Sequence, residues 1–195
     1  LPKVLHVICG KPMICHVLDA IATFKESNIV VVVPPNGTEI ENTVRQFTHT
    51  KLKPKFAIQE KPLGTGDALK SAAPFLRIKK PTLILFGDVP LVSNQSLKRF
   101  ARNFEKTSAL RILTTKIREP KGYGRIIRNN HKEILAIREE SDASTKEKRI
   151  VEVFAGPMLI DTRVLKRLIH EIKQNNKQNE FYLTDLIEKS VKNNL

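Results

Sequence analysis

Three short stretches of the sequence combine residue types that could do chemistry. In Leu83-Ile84-Leu85-Phe86-Gly87-Asp88-Val89-Pro90 an aspartate follows an apolar run directly, with a glycine before it. A carboxylate so placed can hold a hard cation through its oxygens; the same spacing also suits a plain turn residue. In Gln59-Glu60-Lys61-Pro62-Leu63-Gly64-Thr65-Gly66 a strand-like segment gives way to a glycine-bearing turn and a helix start. Glycine lets backbone approach a ligand closely, and helix-start N–H groups attract anions. In Gly122-Tyr123-Gly124-Arg125 two glycines flank an aromatic residue, which permits close contact with a flat or sugar-like ligand or forms a β-bulge.

The elements needed to position these groups follow from the apolar pattern. Short β-branched runs alternate with amphipathic stretches, an α/β signature. Val4 to Ile8 reads as a strand, and Pro12 opens a helix through Phe24. Asn28 to Val33 and Thr82 to Phe86 read as strands buried on both faces. Between them Thr38 caps a helix to about Phe47 with Glu41 as its capping-box partner, Phe56 to Gln59 is a strand, and Asp67 to Phe75 is a helix. Ser93 or Asn94 caps a helix to about Phe104, and Leu110 to Lys116 returns to strand. The rhythm then changes. Tyr123 to Arg128 and Glu133 to Arg138 form a hairpin about Asn129-Asn130-His131, Asp142 to Lys148 is a polar loop, and Ile150 to Ile160 is a strand. Helices over Thr162 to Lys173 and Tyr182 to Lys192 close the chain. In an open parallel sheet ligands bind beyond the carboxyl ends of the strands, and all three chemical stretches fall beside predicted strand ends.

The 195 residues suit one domain with a sizeable core. No apolar run approaches the ~20 residues of a membrane span, so no membrane partner is expected. Two cysteines make no disulfide framework and point to a reducing cytoplasm. With His6 and His16 they read H-x2-C-x5-C-H, a spacing that fits structural zinc poorly. A net charge of +14 raises nucleic acid as a partner. The basic residues are scattered, however (Lys51, Lys53, Lys55; Arg77, Lys79, Lys80; Lys146, Lys148, Arg149), and aromatic residues are only 6%. A solvated surface, or a phosphate-rich substrate, accounts for the charge better than nucleic acid does.

Five segments in order, L-P-K-V-L-H, Q-E-K-P-L-G-T-G-D-A, L-F-G-D-V-P-L, P-K-G-Y-G-R-I and F-Y-L-T-D-L-I, span essentially the whole chain. Together they resemble the uridylyltransferase (MobA-like nucleotidyltransferase) domain of the bacterial bifunctional N-acetylglucosamine-1-phosphate uridylyltransferase/glucosamine-1-phosphate acetyltransferase. The resemblance implies a Rossmann-like mixed, mainly parallel sheet flanked by helices, with a nucleotide-binding half over 1–116 and a sugar-binding half over 117–195. It implies transfer of UMP from UTP to N-acetylglucosamine 1-phosphate with Mg2+, giving pyrophosphate and a UDP-sugar for peptidoglycan and lipopolysaccharide. Lys3 would neutralise phosphate. Gln59 and the Gly64-Thr65 backbone would hold the uracil, and Phe86, Gly87 and Asp88 would line the nucleotide and metal site with Asp88 on Mg2+. Gly124 and Glu139 would contact the amino sugar.

The match departs in three places. The family opens with a strand and a Gly-rich phosphate loop, L-A-A-G-x-G-T-R-M, that the present sequence lacks. It draws a second Mg2+ ligand from an Asn beyond the final helix, and it has N-T-G where Phe154-Ala155-Gly156 stands here. These departures predict little activity for the chain alone and an exposed sheet edge. They keep two other readings open: a related transferase for another sugar phosphate or a molybdopterin-type cofactor, and a nucleotide-binding module without catalysis.

Overall fold

The computed structural model describes residues 1–24, 28–47, 52–104 and 109–195. Lys51 of the first basic group lies outside them. The chain folds as a mixed α/β structure, as expected, with three strand systems among the described residues, one of them a short ribbon near the chain start. Val30–Val33 (β3) and Lys55–Ile58 (β4) pair in parallel, Val30 opposite Lys55. The larger sheet is built on the long strand Glu152–Ile160 (β9). Leu110–Lys116 (β6) runs antiparallel along one edge of β9. The other edge is shared between Thr82–Ile84 (β5), opposite residues 158–160, and Arg125–Arg128 (β7), which meets it at Val153. Ile134–Arg138 (β8) completes the hairpin with β7, as the turn residues predict.

The chain start differs from the expected strand. Lys3–Leu5 forms a 3-10 turn, and only Val7–Ile8 (β1) is extended, paired with Lys11–Pro12 (β2). Cys9 at φ 48° and Gly10 at φ 78° turn this ribbon tightly, which ends the run of alternating residues early. Pro12 then caps Met13–Ile21 (α1), whose buried face packs with Leu5, Val31 and Val33.

Thr38–Phe47 (α2) starts at Thr38 itself; the Gly37 carbonyl accepts from the Glu41 N–H at 3.0 Å, so Thr38 lies one position inside the cap it was expected to form. Thr65–Ala72 (α3) begins earlier than its apolar pattern suggests, on the glycine turn. Asn94–Ala101 (α4) is capped by the Ser93 hydroxyl, which accepts from the Ser96 N–H at 3.1 Å. Asn94 instead donates to the Ala20 carbonyl and the Thr23 hydroxyl, tying α4 to the end of α1. Thr162–Leu168 (α5) and Asp185–Lys192 (α6) cover the large sheet, and their Leu165, Leu168, Leu186 and Ile187 join Met158 and Ile160 in the main core.

Two strands expected to be buried on both faces are not. Val30 and Val32 are half-exposed, as is every residue of β5. A cavity of about 760 Å³ lies between β3 and β5, and among the described residues each strand has an unpaired edge beside it.

Candidate functional site

Beyond β5, Gly87 and Asp88 meet the first turn of the chain. A Cβ on Gly87 would stand 3.1 Å from Val4, so only glycine lets the two segments touch without adjustment. That contact brings Lys3 over Asp88, Nζ to carboxylate oxygen 2.7 Å, with the lysine side chain 72% exposed and the aspartate 34%. The Asp88 carboxylate, by its hydrogen bond first and its charge second, holds the Lys3 ammonium above its ordinary pKa. The cation is therefore charged at neutral pH.

The glycine turn is locked from the far end of the sequence. Gly64 has φ 104°, and a Cβ there would stand 2.7 Å from the Phe181 carbonyl. The Gly66 N–H donates to that carbonyl, and the Phe181 N–H donates to Leu63, both at 2.7 Å. The Thr65 hydroxyl is spent on the Leu183 N–H at 3.0 Å. Gln59 lies under the turn and donates to the Gly64 carbonyl and the Asp67 carboxylate, each at 3.0 Å.

The third constellation gathers around Glu139. Gly124 faces it, a Cβ on Gly124 standing 3.5 Å from both carboxylate oxygens and 2.7 Å from Ile137. Burial pushes the Glu139 carboxyl above its ordinary pKa, opposed by the Thr184 hydroxyl that donates to it at 2.7 Å. Asp185 next in the chain is raised to about 6, chiefly by burial and then by Glu188.

Sequence reasoning missed Thr184 in this cluster, since nothing local links it to Glu139. It also missed the bracing of the Gly122–Gly124 turn by Arg125. That guanidinium is buried, donates to Glu140 at 2.6 Å and to the Tyr123 carbonyl, while Glu140 also accepts from the Gly122 N–H. The charged residue directly after the second glycine was the available signal.

Phe86 packs edge-on against Phe154, ring centres 6.2 Å apart at 78°. Gly156, at φ 105°, lies against Phe86 and Val89, at the place where the edge of β9 passes from β5 to β7. The structure thus brings Lys3, Phe86, Gly87 and Asp88 together at one strand end. Gln59, Gly64 and Thr65 sit at the carboxyl end of β4, and Gly124 and Glu139 at the β7–β8 hairpin. Among the described residues no group of three or more His, Cys, Asp or Glu side chains could cage a metal. Cys15 is buried, and the His16 ring bonds the Ile8 carbonyl at 2.8 Å.

The nucleotidyl transferase family matches residues 1–195, the full length of the chain and all three constellations. The chain belongs to the nucleotidyl transferase family. Its relatives include the bifunctional protein GlmU of Cupriavidus necator, 39% identical over 191 residues, covering 98% of this chain and 41% of that protein. The GlmU of Brevibacillus brevis is 39% identical over 187 residues, covering 95% and 39%, and that of Paraburkholderia phymatum is 36% identical over 191 residues. The chain spans about two fifths of the length of these curated relatives. In structure it resembles UDP-glucose pyrophosphorylase complexed with UDP-glucose, with TM-score 0.81 at 16% identity over 99% of this chain and 80% of that one. The apo form of UDP-glucose pyrophosphorylase aligns with TM-score 0.74 at 17% identity. The nucleotidyl transferase fold is thereby shared. No helix among the described residues is long and apolar enough to cross a membrane.

Proposed function

We propose that this nucleotidyltransferase chain carries the site of a uridylyltransferase, joining UTP and an amino-sugar 1-phosphate into a UDP-sugar. The observation that carries the reading is the Lys3–Asp88 pair at the end of β5, an ammonium and a carboxylate at 2.7 Å and open to solvent. Bringing two anionic substrates together is chiefly a matter of positioning and charge neutralisation. A sugar-phosphate oxygen attacks the α-phosphorus in line, forming the new P–O bond as the bond to pyrophosphate breaks. Lys3 neutralises phosphate charge. Gln59 and the Gly64–Thr65 backbone hold the uracil, Phe86 and Gly87 flank the nucleotide, and Gly124 with Glu139 orients the sugar.

One strand-end carboxylate suits Mg2+, which takes one or two protein carboxylates and keeps phosphate and water oxygens for the rest. Asp88 is the residue that would hold it, and the ion would supply charge neutralisation at the phosphates. The 1–116 half serves the nucleotide and the 117–195 half the sugar. A UTP-consuming reaction places the chain in the cytoplasm, in keeping with free Cys9 and Cys15.

Turnover by the chain alone is slow in this reading, because Gln59 and Asp88 stand on strand systems separated by the cavity. Pyrophosphate release from UTP and N-acetylglucosamine 1-phosphate with Mg2+ tests it. An ordinary enzymatic rate removes the claim of slow turnover. Titration calorimetry that finds no binding of UTP or UDP-N-acetylglucosamine, with or without Mg2+, removes the uridylyltransferase reading itself. Phe154, apolar and packed on Phe86, favours a second reading in which the acceptor is a different sugar phosphate; the same assay run over several sugar phosphates separates the two.

A further inference from the structure

Two glutamates follow β8 in succession, and they hold different ends of the same glycine turn. Glu139 faces Gly124 and accepts from the Thr184 hydroxyl at 2.7 Å. Glu140 engages the start of the turn instead. Its Oε2 accepts from the Gly122 N–H at 3.2 Å and from the Arg125 guanidinium at 2.6 Å, and its Oε1 lies 3.7 Å from the Lys148 ammonium. Arg125 is the hub of this arrangement, with its side chain only 2% exposed. It also donates to the Tyr123 carbonyl and, at 3.4 Å, to the Lys148 carbonyl, while its Nε finds no partner among the described residues.

A buried ion pair gives folding little that apolar packing would not give, and an unpartnered guanidinium N–H makes it poorer still. What this pair supplies is geometry. Gly124 is pressed into place by packing, since a Cβ there would stand 2.7 Å from Ile137. Gly122 is not: it has φ 86°, and its Cβ position faces open space, so the bond from its N–H to Glu140 is what holds it. The two carboxyls also titrate apart. Arg125, by its hydrogen bond first, keeps the Glu140 carboxyl below its ordinary range, whereas burial pushes that of Glu139 above it. Glu140 therefore stays anionic through the range in which Glu139 takes up its proton.

We infer that Glu140 and Arg125 are positioning residues for the amino-sugar end of the site: they latch the Gly122–Gly124 turn beside Glu139 and so set affinity for the sugar without setting affinity for the nucleotide. The inference rests on the proposed function, in which Gly124 and Glu139 orient the sugar. Both latch residues act through the turn rather than on the ligand itself. The Lys3–Asp88 pair stands at the end of β5, outside the β7–β8 hairpin, so a loosened turn leaves the phosphate end of the site in place.

The test uses the 195-residue chain, with titration calorimetry of UTP and of UDP-N-acetylglucosamine and with amide hydrogen exchange at Gly122. Glu140→Ala removes the acceptor. It is expected to speed exchange at Gly122 and to weaken UDP-N-acetylglucosamine about tenfold, the worth of one hydrogen bond to a charged group, while UTP affinity stays within about twofold. Arg125→Met fills the same space without leaving a buried charge and is expected to give the same split; it carries the comparison if Glu140→Ala does not fold. A merely structural role would lower both affinities together, and that outcome overturns the inference. Faster exchange at Gly122 with unchanged affinity for UDP-N-acetylglucosamine overturns it as well. If the parent chain binds neither ligand, the proposed function falls and takes this inference with it. Parental binding of the UDP-sugar that survives both substitutions sinks the inference alone.

Discussion

Lys3 donates to Asp88 at 2.7 Å across 85 positions of sequence, and the pair stands at the solvent-facing end of β5. A pair this exposed contributes little to folding, about 0–1 kcal/mol. Its value is as a poised cation and a hard oxygen ligand. Asp88→Asn is expected to lower Mg2+-dependent UTP affinity at least tenfold in calorimetry while moving Tm by no more than about 4 °C. Lys3→Met should weaken UTP binding with and without Mg2+. Unchanged affinity in both variants would take the nucleotide site away from this strand end.

Gly64 cannot be replaced at low cost. Its φ of 104° is strained for any side chain, and its missing Cβ makes room for the Phe181 carbonyl. Gly64→Ala should cost about 1–3 kcal/mol in urea unfolding, and more if the Gly66–Phe181 bond is lost. Gly122→Ala serves as a contrast. It also has positive φ, but nothing stands within 4 Å of its Cβ position, so strain acts there without a clash. Equal losses for the two would show that packing against Phe181 is not what demands glycine.

The acidic cluster makes stability depend on pH. Asp185 is raised from 3.8 to about 6, so between those values the folded chain binds more protons than the unfolded one. Stability from this group is therefore greatest below about pH 4 and declines as pH rises to 6, a sign opposite to that of a salt-bridged carboxylate. Partial exposure and the amino end of α6 both soften the penalty. Asp185→Asn should accordingly stabilise by about 1 kcal/mol at pH 7 and by nothing at pH 4. Denaturation at both pH values, with carboxyl NMR titration of the parent, measures it; a midpoint near 4 for Asp185 would refute it.

The Thr184 hydroxyl donates to Glu139 and opposes the upward push of burial on its carboxyl pKa. Thr184→Val should raise the Glu139 pKa further and cost about 1.5–3 kcal/mol at pH 7. The loss should shrink in acid, where Glu139 is protonated and the bond matters less. A pH-independent loss would mean that Thr184 acts through packing alone.

Phe154 belongs to the main core and packs edge-on against Phe86. Phe154→Asn should cost about 3–5 kcal/mol, from the lost volume and a buried amide, whatever it does to acceptor choice. A smaller loss accompanied by new affinity for N-acetylglucosamine 1-phosphate would show that Phe154 sets specificity rather than stability.

Much of this protein was determined by local sequence. Apolar periodicity places α1 to α6 and the β7–β8 hairpin close to where they occur, Ser93 caps α4, and the glycine turns fall at strand ends, because each depends on neighbours within a few positions. The five ordered motifs likewise carry the family, which the match over 1–195 bears out. Tertiary structure decided the rest. The chain start became a 3-10 turn and a short ribbon, turned tightly at Cys9 and Gly10, with Leu5 buried and Val4 packed against the same core. Lys3 with Asp88, Thr65 with Leu183 and Thr184 with Glu139 meet across 85, 118 and 45 positions, distances at which spacing carries no signal. The gap between β3 and β5 is of the same kind. An apolar run declares that a strand will be covered, but only its neighbours in space determine by what, and among the described residues no strand pairs with the edges of Val30, Val32 and β5 that border the cavity.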